Sequence, residues 1–277
     1  MKNNFFKVFL LSSCVVIASC KKEDKPNPTE PHPVSDKRIL LKDITEPNLP
    51  SPYYHFEYNA DSLITKADFA SGFSIYDIFY SGGKIAEMRN NILVNHDTLR
   101  YVYDNTGKLA MLKFINAANI LYRLVFFTYN QDQVKEIEWD QKEGDIGFFV
   151  DRTLNFTFYP DGNVKTITDH RPATTGTPDY ISVKTFEQYD DNINVDDFSL
   201  IHDGFHDHLF LPQGFRLQKN NPKKEMLSVN GVNFYSIDYT YTYNADKTPS
   251  VKAGDFVYLS GSNAGQRFRT NSFYTYY

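Results

Sequence analysis

The sequence predicts an all-β protein: a single antiparallel meander of repeated β-hairpins forming a long, twisted, curved sheet of about fourteen strands, with little helix. Three observations predict it. Aromatic residues are abundant, 20 Tyr and 23 Phe in 277 residues, yet the chain is only 41% hydrophobic. That mixture suits pleated, half-buried strands. The aromatics alternate with polar residues, as in Leu154, Phe156 and Phe158 between Thr153, Asn155 and Thr157. Period two sets such residues on one face of a strand. Finally, an aromatic–x–aromatic motif followed by turn residues and an aliphatic recurs along the chain.

The first residues are not part of this pattern. Lys2 and Lys7 precede a ten-residue apolar run, Val8 to Ile17, which reads as an export leader over 1–19. A membrane-crossing helix needs about 20 apolar residues, so the run is too short to stay as one. Ile17-Ala18-Ser19-Cys20 resembles the bacterial lipobox, in which the cysteine is acylated after cleavage. The resemblance makes Cys20 the lipidation site and the membrane a partner through that anchor. Two or three acyl chains, at about 0.8 kcal/mol per buried CH₂, hold stably. Cys14 leaves with the leader, so the mature fold has no free thiol and neither a disulfide nor a cysteine zinc site.

Residues 20–36 follow as a Pro-rich tether with four prolines and no large apolar side chain. Extended at about 3.1 Å per residue, it reaches roughly 50 Å. Lys22-Glu23-Asp24 resembles the signal that sends lipoproteins of Bacteroidota-type bacteria to the cell surface. The expected location is therefore the cell envelope, on the outer membrane, facing the periplasm or the exterior. The net charge of −5, with no basic stripe, excludes a nucleic-acid partner.

The repeat domain spans 37–277. Its units begin Phe56-Glu-Tyr58-Asn, Ile78-Phe-Tyr80-Ser, Tyr101-Val-Tyr103-Asp, Phe127-Thr-Tyr129-Asn, Phe156-Thr-Phe158-Tyr and Tyr241-Thr-Tyr243-Asn, with a degenerate copy at Phe186–Tyr189. Each is expected to form a hairpin whose Asn/Asp/Gly turn tolerates positive φ. The anchors Tyr58, Tyr80, Tyr103, Tyr129, Phe158 and Tyr243 are expected to share one core face. In five copies an apolar residue follows the aliphatic by three, as in Ile85/Met88, Leu109/Leu112 and, less regularly, Thr248/Val251. A regular strand would put such a pair on opposite faces. Either a bulge intervenes or both faces are covered. The anchor spacing widens to 54 before Tyr243, and residues 198–235 are expected to be the least regular.

These units resemble YD (RHS-type) repeats, with Tyr103-Asp-Asn-Thr-Gly-Lys-Leu109 the closest match. Tyr189-Asp-Asp-Asn and Tyr241-Thr-Tyr-Asn-Ala-Asp-Lys-Thr-Pro249 look like an envelope-lipoprotein branch of them. The resemblance covers about residues 50–277 and implies architecture without an activity. RHS shells use many more repeats, so closure into a shell is not expected.

Chemistry has one concentrated candidate, His202-Asp203-Gly-Phe-His206-Asp207-His208. His202, His206, His208 and Asp203 supply donor types suited to zinc and a metal-dependent hydrolase. Their spacing matches no established zinc motif, and a polar connection between degenerate repeats is the more economical explanation. Gly-x-Ser-x-Gly, P-loop and Gly-x-Gly-x-x-Gly motifs are absent. No catalytic residue is assigned and no cofactor is expected unless zinc binds. Asp190/Asp191 and Asp196/Asp197 read as turns, and Ser260–Gly265 as a hairpin loop. Ser62 and Thr98 sit in Asp-Ser/Thr-Leu triplets resembling O-glycosylation acceptors of such bacteria.

The leading functional expectation is a lipid-anchored envelope protein with a binding or interaction role, its partner a glycan or another envelope protein. The alternatives are the metallohydrolase and a membrane β-barrel. Against the barrel, Glu136, Glu138 and Arg152 interrupt strands that would need an apolar outer band.

Overall fold

A computed structural model describes residues 39–70, 72–202 and 209–277. The leader, Cys20 and the tether lie outside the described residues. Sixteen strands are present among those described. They begin with β1 (Leu41–Thr45), β2 (Tyr54–Tyr58), β3 (Ile64–Phe69), β4 (Ser74–Ser81), β5 (Lys84–Asn90), β6 (Thr98–Tyr103), β7 (Leu109–Ile115) and β8 (Leu121–Asn130). They continue with β9 (Gln133–Glu143), β10 (Gly147–Phe158), β11 (Val164–Arg171), β12 (Tyr180–Glu187), β13 (Lys224–Val229), β14 (Val232–Tyr243), β15 (Pro249–Tyr258) and β16 (Arg267–Tyr276). The one helical element described is a 3₁₀ turn, Asp197–Ile201, and no helix there is long and apolar enough to cross a membrane.

The predicted units are hairpins, and their register resolves the spacing of three. Phe79 faces Glu87 while Tyr80 faces Ile85, leaving Ala86 as the extra residue of a bulge. The same shift occurs at Tyr58↔Ile64, Tyr103↔Leu109, Tyr129↔Val134, Phe158↔Val164 and Tyr243↔Pro249. A bulge lets residues three apart share a face, so Ile85 and Met88 are both buried. In the last unit the partner of Tyr243 is Pro249, one residue beyond the Thr248 that the spacing picks out.

Two expectations need correction. The sheet is not open and has more than fourteen strands. β1 pairs with β2 on one side and with β16 on the other, Leu41 facing Tyr276 and Thr45 facing Phe273, and this closes a sixteen-strand barrel. Counting motif copies misses β1, β12, β13 and β16, which carry no complete copy. Closure gives every strand two neighbours. The irregular stretch is also shifted, covering 188–223, because β13 and the start of β14 are regular strands joined at Asn230-Gly231.

All six anchors are less buried than a core face implies. Tyr58, Tyr80, Tyr103, Tyr129 and Phe158 are half-buried side chains packed on the core, and Tyr243 is likewise half-buried. The deep positions lie two residues earlier, at Phe56, Ile78, Tyr101, Phe127 and Phe156. The anchors occupy strand ends, where their hydroxyls perform a second task. Tyr80 donates to the Ile64 carbonyl at 3.0 Å, Tyr103 to Ile85 at 2.8 Å and Tyr129 to Leu109 at 2.8 Å. Each acceptor is the residue that follows the turn of the preceding hairpin. Tyr189 to Val164 (2.7 Å), Tyr276 to Pro249 (2.7 Å) and Tyr58 to Leu41 (2.8 Å) carry the ladder to the closing strands. Lysines repeat the device, Lys84 donating to Gly107 at 2.7 Å with its ammonium over the Tyr103 ring. We call this the near end.

Phe158 lacks the hydroxyl that would reach Val134 in this ladder. Phe158→Tyr should therefore add one hydrogen bond, worth about 1 kcal/mol, and raise the thermal midpoint by about 2–4 °C. Calorimetry checks this, with Tyr129→Phe as the matching loss.

The two faces of the wall differ sharply. Inward positions such as Leu99, Leu112, Val125, Ile137, Trp139 and Leu154 are all at most 2% exposed. Outward positions carry cross-strand polar pairs around the circumference: His55 on Asp43 (2.6 Å), Lys66 on Glu57 (3.4 Å), Arg100 on Glu87 (2.9 Å) and Arg269 on Asp255 (3.3 Å). Thr157 and Thr166 meet at 2.6 Å on the same outer face. Barrels of this strand number usually leave an aqueous channel. Here the described residues of the segment between β12 and β13, 188–202 and 209–223, turn inward and occupy much of it. Ile201, Leu209, Phe210 and Leu217 are buried in one cluster with the wall.

Candidate functional site

The plug enters from the near end, where β12 ends and β13 begins, and Gln213 accepts a hydrogen bond from the Ile85 amide at 2.6 Å. Its acids fasten it. Asp197 accepts the Leu217 amide at 2.8 Å, and burial pushes its carboxyl up. Asp196 accepts the Tyr274 hydroxyl at 2.6 Å and lies 3.7 Å from the Lys252 ammonium. Asp190 accepts the Asn192 and Asn221 amides and the Tyr243 hydroxyl. Asp190, Asp196 and Asp197 therefore belong to plug fastening, while Asp191 lies exposed in a bend.

Toward the opposite, far end the plug leaves part of the lumen unfilled. β10 to β14 turn polar side chains inward there, around a cavity of about 630 Å³. The alternation of the strands sets the lining. Arg152 shares the inward phase of Leu154 and Phe156, Asp169 and Arg171 lie on β11, and Tyr180, Ser182 and Lys184 lie on β12. Arg171 stands opposite Tyr180, Asp169 opposite Ser182 and Ile167 opposite Lys184.

The charges are organised around one carboxylate. Arg152 donates to Asp169 through Nε at 3.1 Å and Nη2 at 2.9 Å, and Arg171 donates to the same carboxylate at 3.2 Å. The Arg152 guanidinium also lies 4.9 Å from the centre of the Trp139 ring. Tyr235 completes the wall with its hydroxyl committed to Glu225 at 2.7 Å; burial and that carboxylate push its pKa up. Asp179, at the mouth, pairs outward with His170 at 2.9 Å.

His202 is the predicted metal-ligating residue that falls within the described residues; Asp203, His206 and His208 lie outside them. Its Nε2 donates to the Phe210 carbonyl at 3.2 Å, and its Nδ1 faces the Tyr54 hydroxyl at 3.4 Å. Its ring packs against Phe69, Phe198 and Phe210. Both nitrogens thus serve the junction of plug and wall. Among the described residues no group of three His, Cys, Asp or Glu is placed to hold a metal ion.

Burial, and secondarily the Arg152 charge, push the His202 pKa down to about 4 against the opposing pull of the Phe210 carbonyl. The folded state therefore resists a proton that the unfolded chain accepts near pH 6.5. His202's contribution is complete above that pH and is lost as the pH falls toward 4, a change of about 3 kcal/mol. Unfolding midpoints at pH 7 and pH 4.5 should differ by correspondingly less in His202→Gln, which keeps a donor and an acceptor.

Ser62 lies in the β2–β3 turn at φ +61° and Thr98 opens β6; both are half-buried, so neither hydroxyl is sequestered. Ser260–Gly265 forms the β15–β16 loop, as expected. No motif marks the cavity residues Arg152, Asp169, Arg171 and Lys184. Their signal was phase: each is polar at a position that alternation assigns to the inside.

The sequence matches no protein-family model and no curated protein. Among solved structures, the chain is similar to a porin-like protein from Bacteroides uniformis ATCC 8492 at 11% identity and a TM-score of 0.57. That match covers 86% of this chain and 95% of the other. A porin-like protein from Bacteroides vulgatus ATCC 8482 is similar at 13% identity and a TM-score of 0.58, covering 87% and 99%. At these identities the likeness establishes the barrel fold.

Proposed function

We propose that this chain is a lipid-anchored envelope protein of the YD-repeat type, a plugged barrel surrounded by water that binds a partner or solute at its far end. The observation that carries this reading is the set of cross-strand charge pairs spread around the outer wall of a barrel whose interior holds the hydrophobic core. A barrel in lipid needs an outward apolar band about 25 Å tall. Here Glu57–Lys66, Glu87–Arg100 and Asp255–Arg269 pairs interrupt that band on different sides. On β9 three successive outward positions are Glu136, Glu138 and Asp140; burial first, then the neighbouring carboxylates, push Glu138 up.

The two ends support a division of labour. Leu40 binds the chain terminus at the near end, its carbonyl accepting the Tyr277 amide at 3.1 Å. The far end also exposes apolar hairpin tips, with Leu93, Val94 and Ile146 more than 80% accessible. Exposed apolar groups at the same end as a cavity suit recognition of a glycan or an envelope protein. With both His202 nitrogens engaged in packing, a binding role is better supported than hydrolysis.

The closed barrel, and its likeness to two porin-like proteins, supports a second reading in which the wall itself sits in the outer membrane. One experiment separates the two. With residues 1–20 replaced by a cleavable leader lacking the lipid cysteine, the chain should appear in the soluble periplasmic fraction. The native chain should stay with the membrane and carry acyl groups on Cys20 by mass spectrometry. Retention of the cysteine-less chain in the membrane, released only by detergent, would establish the inserted barrel instead.

A further inference from the structure

We infer that the far half of β16 is a docking edge for an extended, acidic segment of a partner polypeptide, which pairs with residues 267–271 as an added strand. The inference rests on the binding role proposed above and names the class of partner.

The seam that closes the barrel is paired over only half of its length. β16 has ten residues and β1 has five. Their register runs from Leu41↔Tyr276 to Thr45↔Phe273, so residues 267–272 have a strand neighbour on the β15 side alone. The sequence explains why β1 stops there. Pro47 and Pro50 follow it, Asn48 stands at φ +69°, and the Leu49 amide donates back to the Glu46 carbonyl at 3.2 Å. Proline has no N–H to give to a ladder, and a left-handed residue turns the chain aside.

The stretch left open is equipped for pairing. Along an antiparallel strand the main-chain groups of successive residues point to alternate sides. The Tyr277 amide donates across the seam to Leu40 at 3.1 Å, so Phe273, Asn271, Arg269 and Arg267 aim theirs the same way. Among the described residues the last three meet no main-chain partner on that side. Residues 267–270 are also exposed. At about 3.3 Å per residue the open edge is roughly 20 Å long, room for a strand of about six residues. An unpaired edge of this kind is a template for a further strand.

Charge decides the occupant. Arg267 and Arg269 lie on the outer face, opposite Val257 and Asp255 of β15. Arg269 meets Asp255 at 3.3 Å with both side chains more than half exposed, a contact of a kind that contributes little. Arg267 forms no ion pair among the described residues. Asp238 is one strand further away, opposite Asp255 on β14, and Glu46 is turned to Ser272 on the inner face at 3.5 Å. The edge itself therefore presents two guanidiniums and no carboxylate. Antiparallel pairing of two copies about Arg269 would set like charges directly opposite each other, which is destabilising, whereas acidic side chains at those positions are favoured. On the inner face Phe268 stacks on Phe256 at 4.4 Å and is still 46% exposed, so the intervening position of the added strand suits an apolar side chain. The pattern recognised is acidic and apolar residues in alternation.

The test uses the full lipidated chain in mild detergent and fluorescence anisotropy. The probe is an end-blocked, fluorescein-labelled hexapeptide alternating glutamate with valine. One counterpart has lysine for glutamate, and another carries N-methyl groups on the glutamate amides. The glutamate peptide should bind with a Kd below about 100 µM, more weakly as salt is raised. Both counterparts should bind at least about tenfold more weakly, one for its charge and the other for its missing donors. Arg267→Glu should weaken the glutamate peptide at least about fivefold and strengthen the lysine peptide, at an unchanged unfolding midpoint. Equal binding of the lysine peptide would overturn the acidic assignment, and equal binding of the N-methylated peptide would overturn strand pairing. No binding of the glutamate peptide at about 1 mM would overturn the inference outright. A doubled protein mass in sedimentation, reversed by excess glutamate peptide, would give the edge to a second copy and overturn the choice of partner. The leader-exchange experiment tests the envelope reading independently.

Discussion

Phe210→Ala should cost the folded protein about 3–5 kcal/mol, the largest single-residue loss expected outside the wall. Phe210 is 1% exposed at the centre of the plug. Its ring centre lies 6.2 Å from Phe127, 6.3 Å from Trp139 and 5.8 Å from His202. Truncation removes the ring's burial and opens a cavity that a closed wall cannot collapse to fill. Denaturant unfolding measures the loss, with Leu93→Ala, at a far-end tip that is 93% exposed, as a control expected within about 0.5 kcal/mol. If the plug were a passenger in an independently stable barrel, the two variants would unfold alike.

Asp169→Ala should be similarly severe, at about 3–5 kcal/mol, for an electrostatic reason. The Arg152 side chain is 9% exposed and Asp169 15%, and the pair is bidentate. Removing the carboxylate takes the bidentate partner from a largely buried guanidinium and leaves Arg171 beside it as a like charge. The loss comes from the weakened charge compensation more than from the missing bond. Replacing both partners, Arg152→Met with Asp169→Leu, should therefore recover most of the stability. A double-mutant cycle by chemical denaturation checks both halves.

The hairpins were legible because everything that specifies them is local. Phe156-Thr-Phe158 sets the phase, the Asp161-Gly162 turn reverses the chain, and Val164/Ile167 records the bulge within a few residues. Closure is a different kind of fact. The pairing of Leu41 with Tyr276 joins residues at opposite ends of the chain, and neither strand carries a copy of the motif. Nothing in a strand's own sequence names its neighbour across such a distance. The anchors were half legible: alternation places Tyr80 and Tyr103 inside, but their hydroxyl ladder appears only once neighbouring hairpins are in register.

The plug was visible and misread. Leu200-Ile201 and Leu209-Phe210-Leu211 flank a polar stretch, and two apolar runs in a polar connector need an interior to enter. An open sheet offers none, so the segment looks like a surface connection until the barrel closes. His202, a metal-ligand candidate in the sequence, sits at the junction of plug and wall, with Tyr54 and Phe210 as its partners. The cavity was hidden for a related reason. Arg152 had weighed against a barrel as an outward charge, but in the structure it points inward with Leu154 and Phe156, whereas Glu136 and Glu138 do face out.

Water around the wall is the central claim, and solvent labelling tests it most directly. On the proposed reading Cys14 leaves with the leader and Cys20 is acylated, so single cysteines report without background. In the native lipid-anchored protein in intact envelopes, cysteines placed at Lys66, Arg100, Glu138, Asp238 and Arg269 sample the outer wall around its circumference. Water on every side predicts that all five react with a membrane-impermeant maleimide at comparable rates. A contiguous belt of unreactive mid-strand positions, opened only by detergent, would mean that lipid surrounds the barrel and would contradict the account.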